Sequence, residues 1–327
     1  GWIAYYRRRY DDARAFADAA IDQASDPDVR TSALALAGRT RHGLGDLAGA
    51  LDRLQAVDPG APAPLRGVAD VWLAQVHNHR GRPEEALEAL SRPRAEPDAL
   101  AHPWAPLHLR FNRAMALGQL GRVDEAFEAC GDLDRAVHRA GDVGVRFRAV
   151  SANVRAWLLR WSGHPEDADA HNLAALAATG DERGPSADGF AEAHYVALLD
   201  LADGCLLRDD VDAAQQHVRR LAPLDTWTGT MAWHQRHRLD LIRARVAWAG
   251  GDGNTAGELA HSVAVDAAAR GAARYQAFAM AWHAVFDPRL PIESVHEATG
   301  VLARCAVLDR GAVLRALATT RGLDAGP

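Results

Sequence analysis

The 327-residue chain contains no lysine, so its basic charge is carried by arginine alone. Isoleucine occurs only at Ile3, Ile21, Ile242 and Ile292, while alanine, arginine, glycine and aspartate abound. That is the usage of a GC-rich, actinobacterial-type genome, so the arginines are not in themselves a sign of bidentate recognition. Cys130, Cys205 and Cys305 are too few and too far apart for a disulfide framework or a zinc site. They read as small buried apolar residues in a reducing compartment, with the cytoplasm as the default. No apolar stretch approaches the roughly 18 residues of a membrane span. Arg7, Arg8 and Arg9 are followed by Asp11 and Asp12, which is not a signal peptide. Nor is positive charge in excess: 37 basic against 43 acidic residues leave a net charge of −6. A surface for direct nucleic-acid binding is therefore not expected. With 48% apolar residues, disorder is excluded.

What the chain does have is a repeat. Gly45-Asp46, Gly81-Arg82, Gly121-Arg122, Gly163-His164 and Gly251-Asp252 each precede an alanine five residues after the glycine: Ala50, Ala86, Ala126, Ala168 and Ala256. Arg8 to Ala13 and Asp209 to Ala214 are weaker copies that lack the glycine. Seven residues before each turn stands another small residue: Gly1, Gly38, Ala74, Ala114, Ala156, Ala202 and Ala244. Glycine supplies the left-handed backbone that ends one helix, and paired small residues let the next helix pack closely against it. Pro83-Glu84-Glu85 and Val123-Asp124-Glu125 after the turns suit helix N-termini.

On these small, glycine and alanine positions the chain resembles the tetratricopeptide repeat family, a helix-turn-helix unit of about 34 residues. Here the alanines recur every 36 to 46 residues, and Asp70, Arg110 and Asp240 stand where an aromatic is usual, so the units are lengthened. The resemblance implies an all-α fold: a right-handed superhelical array of antiparallel helix pairs, about seven to eight repeats. One domain is expected over residues 1–327, with repeats over 1–265 and a degenerate C-terminal cap over 266–327. Gly1 falls at a mid-helix position, so the chain reads as an excised piece of a longer polypeptide. Residues 272–286 read as one helix, 287–291 break it, and 292–320 read as one or two more. The proline-rich stretches Pro59–Pro64, Pro93–Pro97 and Pro103–Pro106 lie between units, as does the flexible candidate Gly180–Gly189.

Chemistry is scarce. Gly250-Gly251-Asp252-Gly253 lacks the Lys-Ser/Thr of a phosphate loop and is a repeat turn. Asp209, Asp210 and Asp212 lack the glycine and terminal glutamate of a calcium loop and read as helix caps. His77 and His79 point apart on a helix. His234 and His237 share a helix face but offer two ligands where stable metal sites use three or four. No catalytic residues, metal or cofactor are expected.

The remaining site is the groove. In such an array the first helices line the concave side, and counting 13, 10, 6 and 3 residues back from each turn selects one stripe per helix. The candidates are Arg39 and His42, then Gln75 and Asn78, then Phe111 and Met115. Asn153, Trp157 and Arg160 follow, then Asp203, then Arg245 and Trp248. Asn153, Trp157 and Arg160 would suit a peptide, the amide bonding its backbone, the indole packing a side chain and the guanidinium meeting a carboxylate. Alternatively, Trp157 and Trp248 only fill space between helices.

Stretches such as Arg243–Asp252 and Ala267–Tyr275 resemble the helical-repeat segments of large ATP-binding bacterial regulators of the LuxR and MalT type. That resemblance implies a non-catalytic sensor or interaction segment of a transcriptional regulator. It would bind a peptide, protein or small inducer in the concave groove and act on other domains of the same polypeptide, away from membranes. A stand-alone peptide-binding or assembly scaffold, such as a pheromone receptor or chaperone-type adaptor, is the second reading. A metal protein or helical-repeat enzyme around His234 and His237 is the third.

Overall fold

The seven turns of the repeat are stereochemically alike. Gly45, Gly81, Gly121, Gly163 and Gly251 all have positive φ, and so do Arg8 (61°) and Asp209 (58°), which lack glycine's freedom. After each of them, the next backbone N–H reaches back five residues to a carbonyl of the preceding helix. Asp46 N–H to Arg41 O, Arg82 to His77, Arg122 to Leu117, His164 to Leu159, Asp210 to Cys205 and Asp252 to Ala247 are each 2.9 Å. Arg9 to Ala4 is 3.0 Å. This left-handed cap satisfies carbonyls the helix leaves open. The residue that closes one helix also starts the next, since the carboxylates of Asp46, Asp210 and Asp252 accept from the backbone of Gly49, Ala213 and Thr255. Of the aspartates near residue 210, Asp210 is thus a helix cap, while Asp209 holds the left-handed turn position and Asp212 lies in the first turn of the next helix.

In the computed structural model, residues 1–92, 96–181, 184–186 and 190–322 are described. Each turn separates a first helix from a second. The pairs are α1 (Trp2–Tyr6) with α2 (Tyr10–Gln23), α3 (Pro27–Leu44) with α4 (Leu47–Gln55) and α5 (Ala63–His79) with α6 (Pro83–Ser91). Next come α7 (Ala105–Gln119) with α8 (Val123–Arg139) and α9 (Gly141–Trp161) with α10 (Pro165–Thr179). The last are α11 (Ala191–Leu207) with α12 (Val211–Arg220) and α13 (Ala232–Ala249) with α14 (Gly253–Arg270). Then follow α15 (Ala273–Phe286), α16 (Ile292–Cys305) and α17 (Gly311–Arg321), so 292–320 holds two helices. Within Gly180–Gly189 the described residues form a short antiparallel pairing of Gly180–Asp181 with Gly184–Pro185. Residues 93–95, 182–183 and 187–189, which fall in the stretches expected to be loops, lie outside the described residues.

Close packing follows from the small residues. All seven second-helix alanines, Ala13, Ala50, Ala86, Ala126, Ala168, Ala214 and Ala256, are 0% exposed. Their first-helix counterparts Gly38, Ala74, Ala114, Ala156, Ala202 and Ala244 are buried too, whereas Gly1 is exposed. A Cβ on Gly38 would strike Leu54. Larger side chains fill the layers between pairs, Phe147, Leu117, Leu133 and Leu158 among the most buried. Each is worth about 1.5–3 kcal/mol relative to exposure.

The first helices α3, α5, α7, α9, α11, α13 and α15 pack side by side in chain order, and the row then turns back on itself. α13 meets α3, and α15 meets α5. Met231 N–H donates to Gly43 O at 2.7 Å, Trp233 Nε1–H to His42 O at 3.2 Å and Arg270 Nη1–H to Leu44 O at 3.4 Å. Further along, Val307 N–H donates to Gln119 O at 2.9 Å, and Trp157 Nε1–H to Asp309 Oδ2 at 3.3 Å. Three of the repeat glycines form the landing surface. A Cβ on Gly45 would lie 3.0 Å from the Trp233 indole, one on Gly81 3.1 Å from Cys305 Sγ, and one on Gly121 2.6 Å from Val307.

The turn geometry predicts opposite outcomes for two substitutions. Gly121→Ala puts a Cβ into the left-handed region and against Val307, and lowers stability by about 1–2 kcal/mol. Asp209→Gly relieves a left-handed residue in the open and raises stability by up to about 1 kcal/mol. Thermal unfolding measures both, and shifts of the same sign would contradict the shared turn.

Candidate functional site

Inward-facing residues of the closed row surround two adjoining cavities. The larger is about 210 Å3, and the first helices supply one side of it: Gln75 from α5, Phe111 and Met115 from α7, and Asn153 and Trp157 from α9. The facing side is Arg238 and Arg245 from α13, Tyr275, Phe278 and Trp282 from α15, and Asp309 beyond α16. The second cavity, about 180 Å3, lies against α1 and is bounded by Tyr5, Tyr6, Trp72, Trp104, Trp227 and Arg39 among others. Glu192, in the first turn of α11, borders both. For scale, an engineered apolar cavity of about 150 Å3 admits benzene.

The twelve residues selected by periodicity separate into distinct environments. Gln75, Phe111, Met115, Asn153, Trp157, Asp203 and Arg245 line the larger cavity, and Arg39 lines the second. His42, Asn78 and Arg160 are buried but line neither. Trp248 is 40% exposed and packs on Phe286, with ring centroids 5.5 Å apart.

The peptide-binding arrangement expected of Asn153, Trp157 and Arg160 is not the one they make. Asn153 Nδ2–H already donates to Ala193 O at 2.8 Å, tying α9 to α11. Asn78 and Asn112 make equivalent ties, to Asn112 O at 3.1 Å and Val71 O at 2.9 Å. Trp157 holds Asp309 across the closure. Arg160 lies 3.2 Å from Asp200, an ion pair with both side chains almost wholly buried. These side chains hold neighbouring helices together.

Apart from Glu192, the carboxylates of the larger cavity are each matched by an arginine. Arg238 pairs with Asp200 at 2.5 Å, Arg245 with Asp203, and Arg274 with Asp309. Burial by itself would raise the Asp203 carboxyl, but Arg245, Arg160 and Arg238 overcome it and hold it below the ordinary aspartate value. Gln235 lines the cavity and is 1% exposed, yet neither amide atom has a hydrogen-bond partner among the described residues. Unpaired buried polar atoms cost about 1–3 kcal/mol each unless water or a ligand meets them. Aromatic walls with a few polar groups are the common form of a small-molecule site.

Histidines gather along the closure. His42 Nε2 and His79 Nδ1 are 2.8 Å apart, so one donates and the other accepts. His234 Nε2 bonds Tyr275 Oη at 2.5 Å. Trp104 N–H donates to His102 Nδ1, which leaves Nε2–H of a neutral ring to donate to Tyr6 Oη at 2.6 Å. Burial first, and nearby arginines second, lower His79 to about 3 and His102 to about 4. Burial likewise puts His42, His108 and His234 well below the ordinary histidine value. His237 leans on Asp266 at 2.6 Å and faces away from a shared ligand with His234. Among the described residues no three His, Cys, Asp or Glu side chains converge as metal ligands. Burial also raises the thiols, Cys130 and Cys305 to about 11, so they are protonated at neutral pH.

Periodicity missed half of the larger cavity for an identifiable reason. Stripes were counted back from repeat turns, and α15 ends at Asp287 with no left-handed glycine. Arg274, Phe278 and Trp282, spaced by four, were the signal available. Glu192 lies 17 residues before its turn, beyond the counted stripe. The chain matches no family model and no curated protein sequence.

Five buried neutral histidines fix the sign of the acid response. Unfolded, they bind protons below about pH 6.5, which the fold refuses. Their stabilisation is complete above that value and is lost as pH falls toward the depressed folded values. Glu192 acts oppositely, since burial raises it to about 7, and its contribution is lost as pH rises from the unfolded value near ~4.3 toward 7. One group against five leaves a falling melting temperature between pH 7 and 5. His79→Gln should flatten that slope in thermal scans, and a melting temperature independent of pH would contradict these burials.

Proposed function

We propose that this chain is a non-catalytic, ligand-sensing segment built as a right-handed, tetratricopeptide-like superhelix with lengthened units. Its ligand is a small molecule held in the larger cavity, and a peptide lying along an open groove is the weaker alternative. The observation that carries this reading is the origin of the cavity walls, one side from α5, α7 and α9, the facing side from α13, α15 and Asp309, with α11 between them. A ligand touching both sides binds the closed arrangement better than an open one, and that differential affinity is what shifts a population. The regulator resemblance gives the shift an output: other domains of a larger bacterial transcriptional regulator would respond to closure, in the cytoplasm.

The test is a thermal-shift and tryptophan-fluorescence screen of small organic molecules, with short peptides as the comparison set. A true ligand at a hundred times its Kd stabilises the fold by about 2.7 kcal/mol. Val196→Phe places a ring in the larger cavity. It should abolish the shift while the helical circular-dichroism signal is retained. Saturable binding by peptides alone, or ligand binding undiminished in Val196→Phe, would sink the small-molecule reading.

A further inference from the structure

The second cavity holds a guanidinium and a carboxyl group, Arg39 and Glu192, neither of which has an ion-pair partner within salt-bridge distance among the described residues. Arg39 is 5% exposed and makes no ion pair with the described residues. Its two hydrogen bonds, to Gln75 Oε1 and His42 Nδ1 at 3.1 Å each, both use Nη1, so Nε and Nη2 have no partner among the described residues. Its guanidinium lies 4.9 Å from the Trp72 ring centroid and 5.7 Å from that of Tyr5, which fixes its plane. Glu192 borders the same cavity and, among the described residues, accepts no hydrogen bond and has no cation within salt-bridge distance, although Arg39 is near enough to act on its titration. A buried charge without a counter-ion costs several kcal/mol. The larger cavity, where Asp200, Asp203 and Asp309 each have an arginine, shows the usual remedy.

Between these charges the walls are aromatic: Tyr5, Tyr6, Tyr10, Trp72, Trp104 and Trp227. Rings of this kind stack on a planar group and also attract an ammonium through their faces. The exposed Arg8 and Arg146 add positive charge at the rim. An anion alone would leave Glu192 unmatched, and a cation alone would leave Arg39 so. A ligand carrying both charges and an aromatic body completes the site.

We infer that the cavity beside α1 is a second binding site, whose ligand is a small aromatic zwitterion of the α-amino acid class. The carboxylate meets Arg39 Nε and Nη2, the ammonium meets Glu192, and the side chain packs among the tryptophans and tyrosines. The site is separate from the one proposed for the sensed ligand and does not depend on it. Glu192 alone borders both, and occupancy here would hold α1 against α3, α5 and α11.

Calorimetric titration of the intact chain with phenylalanine, phenylalaninamide and 3-phenylpropanoate tests this by removing one charge at a time. Phenylalanine should bind at least tenfold more tightly than either relative. In Glu192→Gln, which breaks no existing hydrogen bond, its advantage over 3-phenylpropanoate should disappear while its advantage over the amide remains. Arg39→Lys should do the converse, and if that variant misfolds the Glu192→Gln comparison decides alone. Equal affinity for phenylalanine and 3-phenylpropanoate would overturn the proposal, as would an unchanged ratio in Glu192→Gln or no binding by any of the three. Val196→Phe separates this from the sensing test. Phenylalanine binding that survives in it supports the second cavity, and binding lost in it moves the zwitterion to the larger cavity and overturns this assignment.

Discussion

The backbone bond from Met231 to Gly43 O, with Trp233 bonded to His42 O beside it, is the contact on which the interior depends. These carbonyls belong to the last turn of α3, where a helix has no partners of its own. The local caps at the repeat turns satisfy some of them, and residues some 190 positions away satisfy others. Without that second set the first helices would form an open row. Neither cavity would then have its far wall. Met231 has φ of 67° and is 1% exposed, a left-handed backbone that costs a bulky residue roughly 1–2 kcal/mol. The closure must supply at least that much, and its bonds, each worth about 0.5–1.5 kcal/mol, suffice together with the burial of Trp233.

Closure also determines the electrostatics. Once the interior is shut off from water, each polar group inside must be neutral, paired or bonded. The chain uses all three means. The histidines of the seam are neutral, the arginines of α9, α13 and α15 pair with aspartates, and Asn78, Asn112 and Asn153 bond carbonyls of neighbouring helices. Other buried polar atoms, those of Asn172 and Arg160 among them, also lack hydrogen-bond partners among the described residues; Gln235, Arg39 and Glu192 stand out because they border a cavity.

The same distinction explains what could be read from the sequence. The seven turns and fourteen small positions were legible because they obey local backbone rules: positive φ favours glycine, and close helix approach favours alanine. Even the two turns without glycine were found, since Ala13 and Ala214 hold the register. The closure was not legible. Its acceptors at 42 to 44 are main-chain carbonyls, which leave no mark on the side chains there, and its donors lie in a different unit. Asn153, Trp157 and Arg160 were placed correctly on the inner stripe, but the stripe specifies a direction and not a partner. Each found its partner within the chain.

A sensor needs two arrangements close in free energy, and this closure has the appropriate scale. Reversing an equilibrium from 1:99 to 99:1 takes about 5.5 kcal/mol of differential affinity. The bonds across the seam are few: Met231 to Gly43, Trp233 to His42, Arg270 to Leu44, Val307 to Gln119 and Trp157 to Asp309. At about 1 kcal/mol each they amount to a sum of that order. The helix pairs themselves, with capped turns and fully buried alanines, are held far more strongly than they are held to the opposite side. On the sensing reading, a ligand between Trp157 and Trp282 therefore acts on the weakest joint of the molecule. Opening would separate intact pairs without unfolding any of them.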